Sequence, residues 1–256
     1  MIKSQFEKVL KSIPKDTWDR IITKEPEYIY FKPLKEHYHF GAFAIIMLVS
    51  GLNAYQLKGK AQDKYFPVLK DYLVSNSNKK DFEALREVFL GFYKKERSYK
   101  GKLKRVNRFF DSKLAKDIWE EQEAQFFKNH LKDIWQDLFR IMKAKSHSKT
   151  IVFAMKCLGV GLIVEGVSDF DFEGIPIPID SRVRYFVRER LRLELKDQEI
   201  LSFFEDILKS LKNINMIHLD SLIWQIGKLS DDEIISYFKD LSEESTGKKL
   251  LSCLST

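Results

Sequence analysis

Apolar residues recur at helical spacing along almost the whole chain, and this periodicity limits the fold more than any other feature of the sequence. The residues that share one face of a first helix are Phe6, Val9, Leu10 and Ile13. Clear two-residue alternation is confined to the stretch IPIPI, where Pro176 and Pro178 disfavour a central strand. The 256 residues include only 11 Gly and 6 Pro, too few breakers for a protein rich in strands and turns. The sequence therefore predicts an all-α fold.

The periodic segments set the expected organisation. After the first helix, helical patterns cover 40–57, 63–74, 81–95, 116–142, 149–164, 181–195, 198–211, 219–228 and 231–242. Two joints of low helicity, at 75–80 and 165–179, favour two helical halves packed around a cleft. We expect both halves to form a single domain over residues 1–256.

Targeting and cofactor signals are weak. The apolar stretch 40–52 is too short to span a bilayer and predicts a buried helix, and the amphipathic N-terminus does not resemble a signal peptide. The two cysteines, Cys157 and Cys253, exclude a disulfide framework and a four-cysteine iron–sulfur or zinc site, and Cys157 fits a core position. We expect a cytoplasmic protein with no cofactor and no metal.

Positive charge is concentrated in two clusters. The chain has 44 Lys and Arg against 37 Asp and Glu, a net charge of +7, which is compatible with nucleic-acid binding and proves nothing alone. The run 94–108 holds eight cations, and the segment 182–192 holds five arginines. The run either contacts phosphates or forms a solvated loop and helix face. The arginines fit an exposed helix face with Glu189 and Glu194 as ion-pair partners.

Residues 125–164 read as a helix, a short polar turn (KAKSHS, 143–148) and a second helix. A tight turn that opens a helix presents backbone N–H groups suited to phosphate, and Ser148 is a candidate N-cap. Lys149 would then be the first helical residue, and partial burial there would supply the neutral amine that attack on a sugar C1′ requires. The alternative is an ordinary surface lysine.

Aromatic residues accompany these polar positions at helical spacing. Phe153 and Lys156 share a face with Lys149, either as a base-stacking platform or as part of the core. Asp220 and Trp224 are four residues apart, so Trp224 could stack on a base while Asp220 accepts from its Watson–Crick edge. The alternative is a core tryptophan with a capping aspartate.

Asp180 follows the extended IPIPI stretch and falls at the N-cap of the next helix. Its simplest role is capping. A carboxylate at that position could also stabilise an oxocarbenium-like sugar or assist deprotonation.

Four segments together resemble the archaeal 8-oxoguanine DNA glycosylase/AP lyase family (AGOG), a branch of the helix–hairpin–helix glycosylases. They are NAYQLKGK (53–60), SKTIVFAMK (148–156), IPIPIDSRV (175–183) and IHLDSLIW (217–224), in family order. The resemblance implies a two-part helical fold with a DNA-binding hairpin near 143–148. It also implies a DNA-repair enzyme that excises 8-oxoguanine and then cleaves the abasic site by β-elimination.

The resemblance assigns residue roles by motif. Lys149 corresponds to the Schiff-base lysine and Asp180 to the catalytic aspartate. Phe153 and Trp224 match the aromatics that sandwich the flipped base. Asp220 and Lys156 match pocket residues.

The chain also departs from the family pattern. The family motif Asp-Pro-Gln-Tyr reads the base with its glutamine, whereas this chain has EPEY with Glu27 at that position. A carboxylate can still accept a hydrogen bond from the N7–H of 8-oxoguanine. Ser181 replaces the family's aromatic residue, and the hairpin lacks the glycine pair of the wider superfamily.

Two other functions stay open. One is a non-catalytic helical nucleic-acid-binding protein, which could lose Lys149 or Asp180 without penalty. The other is a glycosylase with altered base preference, motivated by Glu27. The expected partner is damaged DNA, double- or single-stranded, bound by a nucleoid-associated monomer that does not contact membranes.

Overall fold

The computed structural model describes residues 2–78, 81–211 and 214–254, and within these ranges it is helical without any strand. The predicted all-α fold class is confirmed. The chain divides into a terminal unit, Met1–Glu25 with Glu173–Thr256, and a central unit, Pro26–Phe172. The later boundary falls inside the joint at 165–179. The joint at 75–80 lies within the central unit, and its residues 79 and 80 are outside the described ranges.

The central unit is built around one apolar helix. Its α-helices are α3 (Pro26–Phe31), α4 (Phe40–Leu52), α5 (Phe66–Ser75), α6 (Phe82–Tyr93), α7 (Tyr99–Phe110), α8 (Lys113–Glu120), α9 (Ala124–Lys128), α10 (Leu131–Ile141) and α11 (Lys149–Val164). A 3-10 turn, Lys32–Glu36, follows α3, and a π-helical turn, Ala61–Tyr65, precedes α5. All 13 residues of α4 are buried, and α4 packs against α11. A Cβ on Gly51 would lie 2.5 Å from Cα of Ala154, so the glycine permits this close approach.

The terminal unit joins both ends of the chain. Its α-helices are α1 (Ile2–Ser12), α2 (Lys15–Thr23), α12 (Ser181–Tyr185), α13 (Asp197–Ser210), α14 (Met216–Ile226), α15 (Asp231–Asp240) and α16 (Glu244–Leu254), and a π-helical turn, Phe186–Arg190, extends α12. Helix α1 packs on α13 and α16, while α14 packs on α2 and α12. The rings of Phe6 and Phe186 lie 5.7 Å apart and connect the first helix to the second segment of the unit.

Several predicted helix bounds are wrong. The predicted helix 116–142 is three helices, α8 to α10, because the chain becomes extended at Glu121 and Glu123. The carbonyl oxygens of Ile118 and Trp119 would lie 2.3 and 2.5 Å from a Cβ on Gly41, so α8 ends against the backbone of α4.

Other ends also differ. Helix α4 stops at Leu52 instead of 57, and the helix predicted to reach 195 ends its π-helical turn at Arg190. The left-handed φ of Arg192, 56°, prevents its continuation. Helices α2, α3, α7 and α16 were not predicted.

None of the helices in the described ranges is long and apolar enough to cross a membrane.

Candidate active site

A seven-residue hairpin connects α10 to α11 in the central unit. Lys143 turns the chain with a left-handed φ of 50°, and its N–H donates to the carbonyl of Arg140 at 3.0 Å. The indole N–H of Trp135 donates to the carbonyl of Ser146 at 3.0 Å, which holds the hairpin against α10. The structure therefore has a helix–hairpin–helix arrangement whose second helix begins at Lys149.

Ser148 occupies the predicted N-cap of α11, although its hydroxyl does not act as the cap. Among the described residues, no backbone N–H donates to that hydroxyl. The Ser148 carbonyl instead accepts from the N–H groups of Ile151 and Val152, at 2.8 and 3.1 Å. The helix still begins at Lys149, as predicted.

One face of α11 runs from the surface into the interior. Lys149 is exposed, Phe153 is half-buried, and Lys156 is 1% exposed. The Lys156 ammonium nitrogen lies 6.0 Å from the Phe153 ring centroid, within range of a cation–π interaction. The predicted partial burial of Lys149 is wrong for this structure. The predicted shared face is found, with an amine at its entrance and an aromatic ring below.

Arg105 ties the first turn of α11 to α7, a contact that the sequence did not indicate. Its guanidinium donates to the hydroxyl of Thr150 at 3.0 Å and to the carbonyl of Leu52, the last residue of α4. The same guanidinium lies 4.5 Å from the ring centroid of Tyr55. Burial lowers the pKa of Arg105 from its usual range. This cation fixes the helix end that carries Lys149.

Lys102 is a second unexpected cation beneath the surface of α7. It is fully buried, and its ammonium lies 3.5 Å from the Glu96 carboxylate and 5.3 Å from the Tyr55 ring centroid. Burial lowers the pKa of Lys102, and the charge of Glu96 opposes that change. The run 94–108 was expected either to contact phosphates or to form a solvated face. Arg105 and Lys102 do neither, because both side chains make contacts inside the central unit.

Glu27 lies in the first turn of α3 and is 3% exposed. Helix α3 packs against α11, so Glu27 belongs to a helix that contacts the one carrying Lys149 and Phe153. Glu27 is therefore a buried residue of the central unit.

Asp180, Asp220 and Trp224 lie in the terminal unit. Asp180 caps α12: its Oδ1 accepts from the backbone N–H groups of Arg182 and Val183, at 2.8 and 3.0 Å. Asp220 and Trp224 are one turn apart on α14, with Asp220 4% exposed and Trp224 half-buried. The predicted cap and the predicted spacing are both present.

Arg182 connects α12 to Trp224. The guanidinium carbon lies 4.1 Å from the Trp224 ring centroid, and Nη1 donates to the Trp224 carbonyl at 2.6 Å. One face of the indole is thus covered by an arginine. Sequence reasoning missed this contact, which joins residues 42 positions apart.

The arginines of the segment 182–192 make more contacts within the protein than the predicted exposed helix face would. Arg184 forms two 2.8 Å hydrogen bonds to Asp197, and Arg190 pairs with Asp231 at 2.6 Å and donates to the Leu229 carbonyl. Arg188 does pair with Glu189, at 2.6 Å, as expected. The cluster therefore binds its own unit together.

No group of three His, Cys, Asp or Glu side chains that could hold a metal ion occurs in the described ranges. Both cysteines are buried, so Cys157 occupies the predicted core position.

The fold and the hairpin before Lys149 define an all-helical, helix–hairpin–helix protein. A family model described as AGOG, N-glycosylase/DNA lyase, matches residues 7–252, and the chain belongs to that family. The fold is similar to a crystal structure of 8-oxoguanosine-complexed Pa-AGOG, an 8-oxoguanine DNA glycosylase from Pyrobaculum aerophilum. That match has a TM-score of 0.74, 18% identity, and coverage of 99% of this chain and 95% of the other.

Two relatives named N-glycosylase/DNA lyase are also similar in sequence. The one from Methanopyrus kandleri is 33% identical over 137 residues, covering 52% of this chain and 51% of the relative. The one from Methanococcus maripaludis is 28% identical over 152 residues, covering 56% of each. The chain thus spans about half the length of these relatives.

Proposed function

We propose that this chain is a bifunctional DNA glycosylase and AP lyase that excises 8-oxoguanine. The observation that carries the proposal is the start of α11. There, in a member of the N-glycosylase/DNA lyase family, an exposed Lys149 follows a hairpin and shares its face with Phe153 and the buried Lys156. An exposed amine at a helix entrance is accessible to a sugar carbon, whereas a buried one is not.

Lys149 would act as the nucleophile. Nζ attacks C1′ with its lone pair, the N-glycosidic bond breaks, and the base leaves with the bonding electron pair and takes up a proton from Nζ. Opening of the sugar transfers the second Nζ proton to the ring oxygen and gives a Schiff base between Nζ and C1′. Loss of a proton from C2′ then breaks the C3′–O bond and cleaves the strand. Asp180 would stabilise the cationic sugar, since the α12 N–H groups already hold its carboxylate in one orientation.

The remaining site residues would bind the extruded base. Phe153 and Trp224 present half-buried rings suited to stacking, and Arg182 supports the Trp224 ring from one face. Asp220 and Lys156 would contact the base edge.

Glu27 would read position 7 of the base. Guanine N7 is an acceptor, whereas 8-oxoguanine carries N7–H, so an acceptor aimed at this atom attracts the lesion and repels the normal base. The burial of Glu27 supports a function inside the protein, and its replacement of the family's glutamine motivates the second candidate, a glycosylase with altered base preference.

Three duplexes test the proposal: one with 8-oxoguanine, one with a preformed abasic site, and one undamaged. We expect release of 8-oxoguanine with strand cleavage, cleavage of the abasic duplex, and no cleavage of the undamaged duplex. Cleavage of the abasic duplex alone would favour a different base preference. Binding without any cleavage would instead favour the non-catalytic nucleic-acid-binding protein.

A further inference from the structure

An open groove of about 860 Å³ lies in the central unit between α7 and the end of α10. None of the residues proposed for catalysis or base binding lines it. Its charged lining residues are Lys100, Lys104, Arg108, Asp111, Arg140 and Lys143. Five of these six described residues are cations, so the groove fits an extended polyanion.

The three cations from α7 form a regular line. Lys100, Lys104 and Arg108 are successive residues at a spacing of four, which places them on one helix face. At a rise of 1.5 Å per residue, the line extends for about 12 Å. One strand of duplex DNA carries a phosphate per 3.4 Å of axis, so about three phosphates match the length of the line.

The positive charge of the groove is not cancelled by its carboxylate. Asp111 is paired from outside the groove by Arg86, at 2.9 Å. Lys100 and Lys104 are exposed. Arg140 forms a 3.3 Å pair with Asp137, but both side chains are more than half exposed, and such surface pairs are weak. The lysines are therefore available to a ligand from solution.

Contacts within the central unit join the groove to the hairpin before Lys149. Arg108 Nη1 donates to the carbonyl of Met142 at 2.9 Å, which fixes α7 beside the first residues of the hairpin. Lys143 lines the groove and belongs to that hairpin. Arg105, on the same α7, donates to Thr150 in the first turn of α11. A strand in the groove would thus continue towards the start of α11.

We propose that this groove binds the sugar–phosphate backbone of a DNA strand, with Lys100 and Lys104 as direct phosphate contacts. The identity of the ligand rests on the proposed function. The contacts are independent of base sequence, so they supply affinity and orientation and leave lesion recognition to the pocket residues.

The test is the salt dependence of binding to an undamaged duplex, measured by fluorescence anisotropy. Each lost phosphate contact reduces the slope of log K against log salt by about 0.9. The double variant Lys100→Gln, Lys104→Gln should therefore reduce the slope by about 1.8. Lys100→Arg with Lys104→Arg keeps both charges and should keep the wild-type slope.

Lys94→Gln with Lys95→Gln is the matched control. These exposed lysines belong to the same basic run and carry the same charge, but they do not line the groove. We expect their removal to leave the slope unchanged. An equal decrease for both pairs would mean a general effect of net charge, and no decrease for the groove pair would mean that DNA does not use the groove. Either result would overturn the proposal.

Strand cleavage of the 8-oxoguanine duplex separates this proposal from the proposed function. If the salt slope depends on the groove lysines but the protein does not cleave the duplex, DNA binding by the groove is supported and the glycosylase activity is contradicted. If the protein cleaves the duplex but the groove and control variants have identical slopes, the glycosylase activity is supported and DNA binding by the groove is contradicted.

Discussion

Glu27 is a carboxylate buried in the first turn of α3, at the position where the family motif has a glutamine. An ionised carboxylate accepts a hydrogen bond and cannot donate one, whereas a protonated carboxyl can donate to guanine N7. Glutamine has both an acceptor and a donor, so substitution of Glu27 should change the choice of base.

We expect the ratio of 8-oxoguanine to guanine binding to fall in Glu27→Gln, because the amide N–H groups of glutamine can donate to guanine N7. Binding of lesion and undamaged duplexes by the two proteins measures this ratio, with the duplex length and salt held fixed. The same ratio for both proteins would show that Glu27 does not read the base.

Trp224 combines a half-buried ring with an arginine on one face. Stacking of a base on an aromatic side chain is worth roughly 1–3 kcal/mol. Trp224→Ala should therefore reduce the preference for lesion over undamaged DNA by about one to two decades, while Trp224→Phe should keep most of it. Unfolding of Trp224→Ala, with unchanged preference in Trp224→Leu, which keeps an apolar side chain without an aromatic face, would instead assign Trp224 to the core.

At the scale of elements, Asp180 caps α12, and an experiment must separate this structural role from the proposed catalytic one. Asn also caps helices, whereas Ala does not, and loss of a cap costs about 1 kcal/mol. Asp180→Asn should slow base excision by orders of magnitude with little change in melting temperature. Asp180→Ala should lose both excision and stability.

Single-turnover excision and thermal melting on the two variants make the comparison. If Asp180→Asn excises the base at the wild-type rate and only Asp180→Ala is destabilised, Asp180 is a cap and nothing more.

Element types were largely predictable because most core positions are apolar and recur at helical spacing. Helix α7 was missed because the buried Lys102 fills a core position one turn before Val106, which interrupts the apolar pattern. Buried Thr17 in α2, and Thr246 with Gly247 in α16, have the same effect. A pattern based on apolar residues does not detect a core position that is occupied by a polar residue.

The helix ends that carry Lys149 and Asp180 were predictable because a local signal existed. The start of α11 at Lys149 and the cap at Asp180 follow from helix-terminus rules that involve only neighbouring residues. The contacts Arg105–Thr150 and Arg182–Trp224 join residues 45 and 42 positions apart. Only packing of distant elements brings those pairs together, so no local pattern indicated them.

For the whole molecule, the distribution of charge says more than the net value of +7. Arg184, Arg188 and Arg190 form ion pairs within the terminal unit. The exposed lysines of α7 instead line an open groove in the central unit. The two basic clusters therefore differ, because the arginines pair with carboxylates of their own unit and the lysines face an open groove.

Stability of the terminal unit should depend on pH through His218. Burial, assisted by the charge of Lys15, lowers the pKa of His218 from 6.5 to about 4, and the ring lies edge-on to Trp18 at 6.0 Å. Between pH 6.5 and 4 the unfolded chain binds a proton that the folded chain does not. The stabilisation is therefore complete above pH 6.5 and is lost as the pH falls towards 4.

We expect the free energy of unfolding to fall by roughly 2 kcal/mol more between pH 7 and 4.5 in the wild-type protein than in His218→Gln. Glutamine retains an acceptor for the Asn215 N–H that now donates to Nδ1 at 3.2 Å. Denaturant unfolding at the two pH values measures the difference, and His37→Gln, at an exposed position, is the control. Equal pH dependence in all three proteins would contradict the role of His218.

The central claim is that Lys149 forms a covalent Schiff base with the sugar, and borohydride trapping tests it most directly. The wild-type protein with an 8-oxoguanine duplex should give a trapped adduct whose modified peptide contains Lys149. Lys149→Gln should give none while still binding the duplex, because the exposed side chain contributes little to the fold. Trapping of Lys149→Gln at the wild-type level, or an adduct mapped to Lys156, would contradict the claim.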